Sequence, residues 1–447
     1  MKSFIPSMLA LTSGICLAQN CDWVLETTPN PEGNVMLFGI DGNSTDTIWT
    51  VGEQYIFDFP VQFDSYNYIA RWDGSSWSQS EAPQPSTLRI SQNLSDVLSI
   101  DNNDAIAVGT YNPDSGPSLA QSMRWDGSSW ELMQSPVITG GCAFRAIGKA
   151  GDDIWACGSK FSELPPPAAS GYPLAARLNG DEWEVFFVPP LAETGGRSFN
   201  HIRAIEGASE DDAWAGGTAQ DTGFGFGPAA MMIRWDGSQW SQYDLRDTVQ
   251  SFNFSSVESI EVLTSDDAWA AGYDYDIDRQ VTMPLILHWD GNTWSNIPVP
   301  IFEHSAELRA ITARSSDDIY ASGTKTFGDG YPHALILHWD GNEWTEVPES
   351  NLTDYGTWFR AMATVEGELW SAGQSNDLSP GITQRQEECS SECMPDLNRD
   401  GVLDFFDVSA FLTAYSAREQ IADITSSGTW DFFDVSAFLG AFATGCP

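Results

Sequence analysis

Basic residues are scarce in this chain. Its 447 residues hold 20 Lys and Arg against 63 Asp and Glu, a formal charge of -43. Such a surface repels phosphate backbones and anionic headgroups, which sets aside nucleic acid and lipid surfaces as partners. Histidine is scarcer still, with five in all. His288 and His338 fill the repeat slot before Trp that Arg71 and Arg124 fill elsewhere, and His201, His304 and His333 share no metal-ligand spacing. No Gly-rich phosphate loop or nucleophile elbow is present. Long apolar runs are absent after the first residues, so no later segment spans a membrane, which takes about 20 apolar residues.

The one early apolar run, Phe4 to Leu17 behind Lys2, reads as a secretory signal peptide over residues 1–18. The expected product is secreted, or attached to the cell surface from outside. A calcium-rich, salty exterior also screens so acidic a surface. Beyond the signal, cysteine is limited to Cys21, Cys142, Cys157, Cys389, Cys393 and Cys446. An even set in an exported chain reads as disulfides, and sequence alone leaves many connectivities open.

Aromatic residues and glycine, in contrast, are plentiful, with 19 Trp and 39 Gly. Hydrophobic residues make up 42% of the chain, which excludes a disordered one. The length exceeds a single core of about 100 to 200 residues, so several domains or one large repeat fold are required. Two short patterns supply the repeat. A Trp-bearing strand ends in Gly, as in Asp153-Ile154-Trp155 to Gly158 or Asp212-Ala213-Trp214 to Gly217, and the closing glycines fall at 52, 109, 158, 217, 272, 323 and 373. A hairpin Trp-Asp-Gly-x-x-Trp recurs, as at Trp72 to Trp77 and Trp289 to Trp294. Asp-Gly between apolar residues is a strong hairpin signal, because Gly accepts the positive φ of a tight turn.

A period near 50 residues with about four strands per unit describes the blades of a β-propeller. Seven closing glycines are accompanied by six hairpins, counting the variant Leu178 to Trp183. The segment Cys21-Asp22-Trp23 aligns with Asn292-Thr293-Trp294, so the N-terminal strand is expected to complete the seventh blade. The predicted fold class is all-β, a seven-bladed β-propeller over residues 19–390 closed by its N-terminal strand, with a small α-helical domain over 391–447. Closure pairs Cys21 with Cys389. Symmetry about a turn near Lys149-Ala150 pairs Cys142 with Cys157, and Cys393 with Cys446 remains.

The C-terminal segment is duplicated. Asp404 to Leu412 recurs identically at Asp431 to Leu439, 27 residues later. Read as a calcium loop, the first copy offers Asp396, Asn398, Asp400, Asp404 and Asp407, with the carbonyl of Val402 and the turn at Gly401. The second offers Asp423, Thr425, Ser427, Asp431 and Asp434, with the carbonyl of Thr429. Hydroxyls replace oxygen ligands of the first loop there, so unequal affinities for Ca2+ are expected.

Both loops end in Asp, and each precedes one apolar helix. This layout resembles an EF-hand-like dockerin, in particular bacterial dockerin-like tails ending Gly445-Cys446-Pro447. The resemblance implies that the tail folds around calcium and attaches the protein to a cohesin-like or other cell-surface receptor. The propeller resembles secreted bacterial repeat proteins and, more distantly, kelch-like and sialidase-like propellers. That likeness speaks to fold and not to function.

Within the propeller, Arg145, Arg203, Arg309 and Arg360 hold one repeat position on the innermost strands, and Glu258 takes it in the fifth blade. Arginines gathered at an axis would hold a carboxylate by bidentate hydrogen bonds. Their structural alternative is pairing with the adjacent Asp-Asp turns. Two functions stay open: a non-catalytic propeller that binds a glycan or protein ligand, or a polysaccharide-active, sialidase-like glycoside hydrolase docked through its tail.

Overall fold

The computed structural model describes residues 23–30, 33–58, 62–85, 92–113, 115–161, 171–186, 188, 198–221, 228–245, 248–249, 254–328, 331–347, 356–375, 381–386, 395, 397, 405–418, 420–422, 424 and 429–444. They fall into two compact units, Trp23–Gln386 and a second that takes in Glu387–Pro447. The signal segment and Cys21, Cys389, Cys393 and Cys446 lie outside the described residues.

The first unit is mostly β. Its strands form five four-stranded sheets and one eight-stranded sheet made of two such groups, so the four-strand group recurs seven times. In the fifth group the strands are Ser256–Thr264, Asp267–Asp276, Val281–Trp289 and Trp294–Asn296, paired in chain order. In the seventh the chain supplies three, Thr357–Val365, Glu368–Ser375 and Ile382–Gln386. The fourth is the N-terminal strand Trp23–Thr27, antiparallel to Ile382–Gln386. The hairpin between third and fourth strands is set by its aspartate. The Asp290 carboxylate accepts the backbone N–H groups of Asn292 and Thr293 at 2.9 and 2.8 Å, while Gly291 takes φ +87°.

Second strands are buried on both faces, as in Asp104–Tyr111, because a neighbouring sheet covers each side. Seven apolar clusters fill the spaces between successive sheets. One of them joins the seventh group to the first, with Val365 and Trp370 against Val35, Trp72 and Trp77. The first strands likewise touch in chain order, and Thr357–Val365 touches Asn34–Ser44.

Tryptophan dominates these interfaces. Trp214 of the fourth group lies 4.9 Å from Trp289 and 5.2 Å from Trp294 of the fifth, in tilted and edge-on geometry. Trp49 meets Trp125 and Trp130 in the same way, and Trp370 meets Trp72 and Trp77. A cation or imidazole lies over the second-strand ring: Arg234 over Trp214, Arg177 over Trp155, His288 on Trp269. The same group reaches the Asp that begins the second strand. Arg124 forms two bonds of 2.7 Å to Asp104, Arg234 lies 2.9 Å from Asp212, and His338 lies 2.8 Å from Asp318.

The Cys142 and Cys157 pairing is corrected by this architecture. Both are buried free thiols. The turn of their hairpin lies at Gly151-Asp152, past the predicted midpoint, so Cys142 faces Lys160 and Cys157 faces Ala146. The two thiols also enter different inter-sheet clusters, which a disulfide would have to bridge through the sheet.

Among the described residues the second unit has two helices, α1 (Phe405–Ala417) and α2 (Phe432–Thr444), and a 3-10 turn Gln420–Ala422. Phe411 and Phe438, the same position in the two copies of the duplicated segment, stack with ring centres 4.1 Å apart and planes 4° apart. Ala414 and Ala422 complete the buried centre.

One backbone device repeats through all seven groups. Each first strand carries a β-bulge, and the residue passed over by the register is Phe38, Ser95, Arg145, Arg203, Glu258, Arg309 or Arg360. Opposite each bulge sits a closing glycine. A Cβ on Gly217 would lie 1.9 Å from the His201 carbonyl oxygen, and one on Gly52 would lie 1.8 Å from that of Met36. Gly217→Ala is therefore expected to destabilise this unit by about 1–3 kcal/mol, the usual range for overpacking. Urea unfolding followed by tryptophan fluorescence measures it, and a midpoint equal to wild type would refute the close-approach role.

Candidate functional site

The bulge turns one side chain of every first strand toward a common cavity of about 780 Å³, lined by the first strands of all seven groups. The five residues singled out in the sequence, Arg145, Arg203, Glu258, Arg309 and Arg360, all line it. The seventh-period spacing that marks them also marks Phe38 and Ser95, since all fall 13 or 14 residues before a closing glycine. Arg360 lies over the Phe38 ring at 5.3 Å.

These arginines do not pair with the Asp-Asp turns, contrary to the structural alternative drawn from sequence. The turns are occupied by Arg124, Arg177, Arg234, His288 and His338 from third strands. Cavity arginines instead share two glutamates. The Glu258 side chain is 6% exposed; its Oε2 accepts from Arg309 at 2.9 Å, and its Oε1 accepts from the Ser256 hydroxyl at 2.6 Å with Arg203 Nε 3.3 Å away. Arg309 also donates to Glu307 at 2.7 Å. The Arg203 Nε is buried without a hydrogen bond of proper geometry. Arg145 has neither an ion pair nor a hydrogen bond to the described residues, and it is an exposed residue on the wall of the cavity. Burial, then repulsion from Arg203, lowers its pKa. Burial and the charges of Arg203 and Arg145 push His201 down to about 4, leaving a neutral ring whose Nδ1 lies 2.6 Å from the Ser159 hydroxyl. Ser159 is itself buried, and a like contact joins Thr218 to Ser256 at 2.6 Å one group further on, so the pair is an inter-sheet tie.

A second polar tier lies deeper. Asp41, Glu206 and Glu261 stand three residues beyond bulge positions, about 10 Å along a strand, and Asp96 directly follows one. Each is a latch to the next sheet. Asp41 accepts from Ser99 N–H at 2.7 Å, Asp96 from Ile147 N–H at 3.0 Å and Glu206 from Val262 N–H at 3.0 Å. The backbone of Ala313 donates to Glu261. The sequence reading passed over this tier, whose only signal is a carboxylate inside an otherwise apolar first strand.

Of the calcium-loop residues, Asp396, Asn398, Asp400, Val402, Asp404, Asp423, Thr425 and Ser427 lie outside the described residues. Asp407 and Asp434, at matching positions of α1 and α2, are fully buried. Thr429 and Asp431 are exposed. Asp431 accepts from Phe433 N–H at 2.8 Å and Asp434 accepts from Asp431 N–H at 2.9 Å, a capping box at the start of α2. Among the described residues no three His, Cys, Asp or Glu side chains group closely enough to hold a metal. A buried carboxylate at each of two equivalent positions nonetheless fits the last ligand of a calcium loop, because it needs a cation or donors to offset its lost hydration. No helix among the described residues is long and apolar enough to cross a membrane.

The deep carboxylates predict an unusual pH profile. Burial pushes Asp41 up to about 6 and Asp96 up to about 7, the latter aided by repulsion from Asp41. Glu206 and Glu261 are raised too, by burial first and then by charge, Glu261 acting on Glu206 and Asp41 on Glu261. Unfolded chains release such protons near about pH 4. The folded chain keeps them to higher pH, binds more protons in between, and so loses stability as pH rises from about 4 through 7. Asp96→Asn is expected to shrink the stability difference between about pH 5 and pH 8 by on the order of 2 kcal/mol. Urea titrations at both pH values test this, and an undiminished difference would show that Asp96 carries no proton into the folded state.

No protein-family model and no curated protein matches the chain. Among solved structures it is similar to the WD40 β-propeller domain of Doa1, at 10% identity over 82% of this chain and 98% of that one, with a TM-score of 0.48. It is similar to a polysaccharide lyase of family PL25, an ulvan lyase, at 11% identity over 78% of this chain and 94% of that one, TM-score 0.47. It is also similar to an inactive virginiamycin B lyase from Staphylococcus aureus, at 12% identity over 82% and 99%, TM-score 0.48. At such identities and TM-scores the likeness says nothing of function.

Proposed function

We propose that the chain is a secreted or surface-attached binding protein: a closed seven-bladed β-propeller that holds a glycan or protein ligand, carried by a calcium-dependent, dockerin-like tail. The N-terminal strand beside Ile382–Gln386 and the apolar cluster between the seventh and first groups support closure. One observation carries the binding reading. The charged residues of the repeat are spent in structural pairs, whereas the bulge tier sets a cavity with more guanidinium groups than carboxylate acceptors can satisfy. A non-catalytic role is favoured because no described carboxylate in that tier stands apart from an arginine or hydroxyl partner in the manner of a paired acid and base. Glu258 is bound by Arg309 and Ser256, Glu307 by Arg309, and Glu53 by the Ser65 hydroxyl.

In the tail, Asp396, Asn398, Asp400, Asp404 and Asp407 would hold one calcium ion, and Asp423, Thr425, Ser427, Asp431 and Asp434 a second, weaker one. Bound calcium supplies positive charge that offsets the clustered carboxylates and ties each loop to its helix. The duplicated helices then present matching exposed residues, Phe405, Phe406 and Leu412 on α1 and Phe432, Phe433 and Leu439 on α2, to a cohesin-like or other surface receptor.

Two measurements test the reading. A glycan array followed by turnover assays on its hits is expected to give binding without product. Turnover abolished by both Arg203→Ala and Glu258→Gln would overturn the non-catalytic assignment. Calorimetric calcium titration of the full chain is expected to give two unequal sites, reduced to one by Asp400→Ala, and a stoichiometry untouched by that substitution would defeat the loop assignment.

A further inference from the structure

Four guanidinium groups line the cavity: Arg309 is fully paired, Arg360 lies over the Phe38 ring, and Arg145 and Arg203 are adjacent. Arg145 and Arg203 occupy equivalent bulge positions on the neighbouring first strands Cys142–Ala150 and Ser198–Ser209. Their charges repel one another, and the nearest acceptor, Glu258, already takes hydrogen bonds from Arg309 and Ser256. Two guanidinium forks line one cavity, Arg145 with no hydrogen bond or ion pair among the described residues and Arg203 with a buried Nε that has only a 3.3 Å approach to Glu258, so both have donors to offer an added acceptor. Planar forks match a planar, two-oxygen anion best.

The surroundings narrow the ligand. Asp41, Glu206 and Glu261, about 10 Å further along the strands, are buried carboxyl groups already bonded to backbone N–H groups of the next sheet, and they offer no cation to a second anionic group. The net charge of -43 disfavours a polyanion of high charge density. On the Arg309 and Arg360 side of the same arginine tier, a smaller cavity of about 230 Å³ is lined by those two residues with Glu307, Trp358, Thr324 and Pro332. An aromatic face next to hydrogen-bonding groups is what a sugar ring stacks on.

Resting on the binding reading above, we infer that Arg145 and Arg203 form the anion subsite of this cavity, and that the ligand is an acidic saccharide whose terminal uronate carboxylate lies between them. The carboxylate accepts from both guanidinium groups, and neutral ring faces of the sugar are left to Trp358 and the cavity mouth.

The test uses the full chain with calcium and three probes: a short glucuronate-terminated oligosaccharide, its neutral glucose-terminated counterpart, and inorganic sulfate. Calorimetry gives affinity, and the NMR titration of the His201 ring reports charge beside Arg145 and Arg203. The acidic probe is expected to bind at least about tenfold more tightly than the neutral one and to raise the His201 pKa from about 4. Arg145→Ala is expected to weaken it about tenfold or more, roughly the worth of one charge-assisted bond, with Arg145→Lys retaining part. Unchanged melting of both variants establishes that they are folded, and if Arg145→Ala does not fold, Arg145→Lys carries the comparison.

Equal binding of the neutral probe, or affinity untouched by Arg145→Ala, overturns the inference. Sulfate matching the oligosaccharide in affinity overturns the saccharide assignment. Array hits confined to neutral glycans or proteins, with no response at His201, refute this subsite while leaving the binding propeller standing. An array and partner screen with no hits at all removes the binding reading itself.

Discussion

The contact on which the rest of this structure depends is the approach of a closing glycine to the carbonyl of the strand beside it. With a Cβ that would come within 2.1 Å of oxygen at Gly158, or 2.0 Å at Gly272, no other residue fits without moving the backbone. The bulge that causes the approach adds one residue to each first strand and turns its side chain out of the ladder. Strand pairing continues on either side of it, so the chain keeps its sheet while gaining a set of inward-facing positions. Placing seven such positions around one cavity requires nothing more than repeating the device.

What holds the sheets at the spacing this requires is tryptophan. A second-strand ring inserts beside two hairpin rings of the following group, and a guanidinium or imidazole covers its face while reaching the Asp at the start of the same strand. Each element of the short repeat thereby acquires a definite role: Asp for the cation, Trp for the interface, Gly for the bulge. This division explains why the outer arginines are poor candidates for ligand contact. Their charge is used locally, and their stems pack on rings.

Much of this was legible in sequence, because local patterns impose it. Regularly spaced glycines gave the number of groups, Asp-Gly between tryptophans gave the hairpins, and the resemblance of Trp23 to Trp294 placed the N-terminal strand. What escaped depends on register. A bulge shifts every later pairing by one residue, and the hairpin of Cys142–Ala150 turns at Gly151, so two cysteines that look symmetric on paper enter opposite faces of one sheet. The arginine cluster was visible as a column in the repeat, but its partners were not. Glu307 is two residues from Arg309 in sequence, whereas Glu258 is 51 away, and only the fold brings both to one guanidinium. The deep carboxylates escaped for a different reason: a single Asp or Glu in an apolar strand looks like an interruption of the pattern until four such interruptions are found in one cavity.

The two tiers have opposite requirements, and this bears on how the cavity works. Deep carboxylates that accept backbone N–H groups from the next sheet are best satisfied when partly protonated, since burial disfavours their charge. Arginines keep their charge over the same range of pH and cannot shed it to relieve crowding. Relief for them has to come from an acceptor, either a protein carboxylate or something brought in. Glu258 and Glu307 serve Arg309 completely and Arg203 in part, and they leave Arg145 and Arg360 without an ion pair among the described residues. A fold stabilised by its repeats can tolerate such unpaired cations, because the cost is confined to positions the tryptophan interfaces do not use. The same confinement makes such a position free to change its partner without disturbing the sheets, which is what a binding site in a rigid scaffold demands.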